Sequence, residues 1–173
     1  MKTMPNADLG VRRIMVAIAA VLPVALSCSD EATGPTEPVD FVATLSGAEE
    51  RPNPSGSTAT GTATIRYDAA TSTFTYTITV AGITNVVASH IHVARQGVNG
   101  SIAVDFFAGT QPPAGTLNGQ LATGTIGTGN MTATSPITFA SLLPLMRTGD
   151  VYINVHTQAF SGGEIRGQIR PQP

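Results

Sequence analysis

Residues 73–80 read Thr-Phe-Thr-Tyr-Thr-Ile-Thr-Val. In an extended chain successive side chains point to opposite sides, so Phe74, Tyr76, Ile78 and Val80 share one face and the threonines the other. Such a segment is a half-buried strand. Similar short runs surround it, at 41–45, 61–67, 86–93, 102–107, 115–122, 151–156 and 164–169, separated by Gly, Asn and Pro clusters. Residues 51–57 and 108–114 are loops of that composition. Many short strands rich in Thr, Val and Ile with frequent turn signals indicate an all-β domain. The expected architecture is an antiparallel, Greek-key-like β-sandwich of about eight strands with one short helix.

The helix is read from Phe139, Leu142, Leu143 and Met146, which follow helical spacing, with Gly149 placed to end it. Pro144 is compatible only if the helix begins within a turn before it. The segment caps one end of the sandwich and carries no chemistry of its own.

Upstream of the domain, Arg12 and Arg13 precede an apolar run at 14–26 that ends in small residues before Cys28. Basic, apolar and small segments in that order form a signal peptide, expected over 1–27. The run is too short for a membrane-spanning helix, which needs about 20 residues, and Pro23 interrupts it. Cys28 is the only cysteine, and a Pro-, Thr- and acid-rich stretch with little to bury follows it to residue 40. A lipid on Cys28 and a disordered tether over 28–40 are expected, which would anchor the protein to a membrane on the periplasmic side or at the outer membrane or cell surface. One cysteine forms no internal disulfide, so core burial must hold the fold.

Beyond residue 27 there is no lysine, and six arginines stand against ten acids, a net charge of −4. Lysine Schiff-base chemistry is thereby excluded. The arginines are scattered singly and form no stripe to neutralise phosphates, so nucleic acid is not a partner.

All three histidines lie on expected strands. His90 and His92 in 86–93 (VVASHIHV) point to one face, with Ile91 and Val93 on the other. Residues 151–169 read as a hairpin turning around 158–163, with Val151, Ile153, Val155, Ile165 and Ile169 inward. Its opposite face carries Tyr152, Asn154, His156, Glu164, Arg166 and Gln168, with His156 across from Glu164 and Asn154 across from Arg166. Glu164 and Arg166, two apart on one strand, read most simply as an ion pair holding strands in register. Should His90, His92 and His156 meet, three neutral imidazoles would suit Zn²⁺ or Cu²⁺, with Glu164 as a fourth ligand or as an acceptor behind one. Ser89 alternates away from His90, which argues against a catalytic triad. Glu49, Glu50, Asp105 and Asp150 show no spacing that recommends glycoside hydrolysis. Residues 97–100 (GVNG) are a hairpin turn.

Four separated motifs carry a resemblance. These are 41–50 (FVATLSGAEE), 61–64 (GTAT), His90-Ile-His-Val with 97–100, and Asn154-Val-His-Thr with Gly163-Glu-Ile-Arg-Gly. Together they resemble the CHRD (chordin) domain over about 41–170. The resemblance implies an extracytoplasmic β-sandwich and supplies no reaction. The expected function is therefore a lipid-anchored, non-catalytic binding module with a protein or glycan partner. The rivals are a single-metal protein doing redox or hydrolytic work and a structural envelope protein.

Overall fold

The structure is a computed structural model, and it describes residues 40–106 and 114–172. The expected signal peptide, Cys28 and tether, along with Phe107 and most of the 108–114 loop, lie outside the described residues.

In chain order the strands are β1 (Asp40–Ser46), β2 (Thr60–Asp68), β3 (Thr73–Thr84), β4 (Val86–Val93), β5 (Ser101–Asp105) and β6 (Thr116–Ile126). After helix α1 (Leu142–Thr148) come β7 (Val151–Thr157), β8 (Ile165–Gln168) and β9 (Arg170–Pro171). The all-β expectation holds, and all eight expected strands are present. They form one continuous antiparallel sheet in the order β5-β4-β7-β8-β1-β2-β3-β6, with β9 also on β1. The sheet curls on itself, and Met131 beyond β6 bridges to Val104 of β5.

Strand β3 confirms the alternation that defines the fold, since Phe74, Tyr76, Ile78 and Val80 are buried and Thr75 and Thr79 exposed. It runs further than expected, to Thr84. A register shift against β6 between Val80 and Ile83, with Gly82 at φ 70°, absorbs the irregularity and returns Ile83 to the core. The core also takes Phe41, Leu45, Ile91, Ile153 and Ile165. Phe74 packs between Tyr67 and Phe139 at centroid separations of 4.9 and 5.7 Å.

Helix α1 starts two residues before Pro144, where the missing N–H costs no helical bond. Leu142 and Met146, one turn apart, seal the end of the core. Gly149 at φ 73° closes the helix in the left-handed region, and Asp150 N–H returns to the Leu145 carbonyl.

The sheet order brings the centre of the chain to its end, because β4 pairs with β7 and β7 with β8. One row of facing residues crosses five strands: Asp105, His90, Asn154, Arg166 and Ser46. The next row contains Ile102, His92, Tyr152 and Gln168. These two rows make the sheet face opposite Ile91, Ile153 and Ile165.

Candidate functional site

This face is polar and yet buried. His92, Asn154, Tyr152, Glu164 and Arg166 are each at most 8 % exposed. Loop residues 94–100 fold over it. Arg166 Nη2 donates to the Val98 carbonyl (2.8 Å) and Nη1 to Asn99 Oδ1 (3.0 Å), while Gln168 Nε2 donates to the Ala94 carbonyl (2.8 Å). The guanidinium also lies over the Tyr152 ring, 3.3 Å from its centroid. Across the β4–β7 pair, the Tyr152 ring stacks on the facing His92 at 4.8 Å with only 7° between planes.

The three histidines meet. One ring nitrogen from each of His90, His92 and His156 lies within 4.8 Å of the others. Backbone carbonyls orient two of the rings. His92 Nδ1 is 2.9 Å from the Gly100 carbonyl, and His156 Nδ1 is 2.9 Å from the Ser161 carbonyl. A carbonyl only accepts, so both Nδ1 atoms carry the proton and both Nε2 atoms keep a lone pair. His92 Nε2 is buried with no partner, as is His90 Nδ1. His156 Nε2 faces the Asn154 side chain at 3.0 Å, and it accepts from that amide once the amide is turned end for end. Ala88 lies opposite His156 across β4 and β7, and its small side chain leaves room for the ring.

Electrostatics keep the cluster neutral. Burial, with the neighbouring His156 and His92, pushes His90 down to about 4. His92 and His156 are also shifted down, burial being the largest cause in each. Three rings shifted away from protonation, each with a nitrogen within 4.8 Å of the others, are a transition-metal donor set once His156 Nε2 gives up its contact with the Asn154 side chain. Four-coordinate zinc with bonds of about 2.1 Å has nitrogens about 3.4 Å apart, so modest ring rotation closes the site.

Two sequence expectations are corrected. Glu164 does not join the imidazoles, since its Oε1 accepts from Ser57 Oγ (2.7 Å) and its Oε2 from Thr157 Oγ1 (2.6 Å). It precedes β8, where the chain is still turning, and its side chain reaches toward the loop before β2. Nor does Glu164 pair with Arg166. Among the described residues the ion pair is Arg66–Asp40, while loop residues 98 and 99 take the Arg166 fork. The expected pairing of Asn154 with Arg166 is present in the β7–β8 register.

Residue-by-residue reading of the sequence missed Glu50. It is 3 % exposed, its Oε1 has no hydrogen-bond partner, and burial pushes its carboxyl up to about 7 against the lowering pull of Arg166. It lies flat against Gly163, where a Cβ would come 2.5 Å from Oε1. In sequence it was half of a Glu-Glu doublet with no distinguishing spacing.

These shifts set opposite pH dependences. The folded state raises Glu50 above its ordinary 4.5, so that contribution is full below about 4.5 and lost as pH rises through 7. The folded state depresses the histidines, so theirs is full above about 6.5 and lost as pH falls. Glu50→Gln is expected to raise stability at pH 8.5 by about 1–2 kcal/mol, with screening discounted, and to change it little at pH 5. Thermal melts at both values check this, and an equal effect at the two would refute it.

A family model for the CHRD domain matches residues 41–169. The chain belongs to the CHRD domain family. No curated protein and no solved structure matches. The matched span of the CHRD domain covers β1 to β8 and thus every residue of the polar face. At the level of the family, the CHRD domain supports a non-catalytic binding module.

Proposed function

We propose that this CHRD domain is a metal-holding binding module that takes one Zn²⁺ or Cu²⁺ at His90, His92 and His156. The observation that carries the reading is the convergence of three imidazole nitrogens within 4.8 Å, two of the rings being already oriented by Nδ1–H bonds to carbonyls. Metal-bound histidines are held in this way, with the second nitrogen donating to a fixed acceptor. Nitrogen donors select zinc or copper over magnesium or calcium.

The basic, apolar and small segments before Cys28 support export and a lipid anchor, with the domain displayed outside the cytoplasm. The anchor serves to keep the held ion, and whatever the module engages, at a membrane surface.

The test is metal content of the purified protein after chelation, reloading with zinc or copper and desalting, beside a His90→Ala/His92→Ala variant. One ion per chain is expected, lost in the variant. Free ion at about a hundred times its dissociation constant stabilises by about 2.7 kcal/mol, which raises the melting temperature by about 5–10 °C. Wild-type protein that retains no ion and melts unchanged would remove the reading and return the search to protein and glycan partners.

A further inference from the structure

A cleft of about 350 Å³ runs between the loop 50–55, ahead of β2, and the turn 159–163 after β7. None of the three histidines lines it. Both walls are pinned. Ser55 N–H donates to the Gly47 carbonyl (3.0 Å), Ser55 Oγ to the Glu164 carbonyl (2.7 Å), and Asn99 Nδ2 to the Arg51 carbonyl (3.0 Å). On the other wall, Gly163 N–H donates to the Phe160 carbonyl (3.1 Å) and Phe160 N–H to Thr157 Oγ1 (3.2 Å). The cleft is therefore formed before any ligand arrives, which lowers the cost of binding.

Glu50 and Gly163 are the buried residues of its lining, whereas Pro52, Asn53, Ser161 and Gly162 at its edges are exposed. Gly163 is at φ 126°, and a Cβ there would come within 2.7 Å of both carboxylate oxygens, so backbone and space together require glycine beside Glu50. Glu50 is the only acid in the lining, and its Oε1 is buried with no hydrogen-bond partner. Among the described residues no cation forms an ion pair with it. Arg51 turns its Nη1 to the Ala48 and Glu50 carbonyls, and Arg166 gives its fork to residues 98 and 99. A buried carboxylate left without a donor is costly, and a cation that reaches it recovers that cost. Pro52 on one wall and Phe160 on the other add apolar surface, and an aromatic ring also attracts a cation.

We infer that this cleft binds a primary alkylammonium group, with its N–H donors on Glu50 and its alkyl stem between Pro52 and Phe160. Such a group is carried by a lysine side chain of a partner protein or by a free amine. The site uses none of the histidines and stands or falls independently of the metal-holding reading.

Carbon-detected NMR shifts of Gly162 and Gly163 in the purified protein at pH 8.5 report the site. There the carboxyl, raised to about 7, is ionised and an alkylammonium is still charged. The probes are n-butylamine and Nα-acetyl-lysine amide, with tetramethylammonium, which has the charge but no N–H, as the control. Saturable shifts at the two glycines are expected with both amines and not with the control. The tighter amine identifies the source, a free amine or a lysine side chain. Glu50→Gln, expected to be the more stable protein at this pH, should bind at least tenfold more weakly, so that the loss is not one of folding. Phe160→Ala should bind about threefold more weakly and tests the cleft should the Gln variant fold poorly. Amines that leave both glycines unshifted, that bind Glu50→Gln as tightly as the wild type, or that shift them no more than tetramethylammonium does would overturn the inference.

Discussion

Arg166→Leu is expected to destabilise the protein by about 3–5 kcal/mol, the cost typical of removing one member of a buried charged network. The side chain is 2 % exposed and is held on three sides, by the Val98 carbonyl, Asn99 Oδ1 and the Tyr152 ring. Its loss strands the two acceptors and leaves Glu50 buried without the cation that lowers its carboxyl. Arg166→Lys should recover little, because an ammonium lacks the planar fork that reaches two acceptors while stacking on a ring. Urea midpoints measure the effect. Adding Glu50→Gln to Arg166→Leu should restore part of the loss, because the stranded carboxylate is gone, and a double-mutant cycle isolates that coupling. A leucine variant within about 1 kcal/mol of wild type would show that the network holds nothing together.

The second large effect belongs to two glycines and separates stability from function. A Cβ on Gly100 would run into the Val93 carbonyl, and one on Gly167 into the Thr44 carbonyl, both of them backbone. Each alanine substitution is expected to cost about 3 kcal/mol, at the upper end of overpacking, because a strand must move. Gly167 joins β8 to the neighbourhood of β1, away from the imidazoles. Gly100 offers its carbonyl to His92 and its N–H to the Tyr152 hydroxyl. Gly100→Ala should therefore also weaken zinc binding at least tenfold, the size of loss seen when an acceptor behind a metal ligand is removed. Gly167→Ala should leave affinity near wild type. Titrations on the folded fraction distinguish the two, and equal affinity in both variants would remove Gly100 from the site.

The strands were legible because burial on one side imposes a period of two, as in 73–80, and because apolar and polar residues alternate in 151–156 even though both of its faces are covered. Helix α1 was legible because Gly149 and Pro144 leave few places for a short helix to start and stop. His90, His92 and His156 could be placed on polar faces by the same alternation. Their meeting depends on β4 lying beside β7, a non-local choice that local pattern does not encode. Glu164 was misplaced because alternation was extended back from the start of β8 into a turn, where it no longer holds. Arg166 was assigned the nearest acid in sequence, whereas a loop from the other half of the chain had folded over it.

The order of strands also bears on how the sheet closes. The first strand, β1, is bonded to β2 on one side and to β8 and β9 on the other. Its second edge stays bare until the segment carrying β8 and β9 is in place. The same late segment delivers Arg166 to the loop over the site and Ile165 and Ile169 to the core. The segment carrying β8 and β9 works as a latch. A chain cut a dozen residues short is not a slightly smaller domain but an open sheet with an unpaired edge, prone to join another chain.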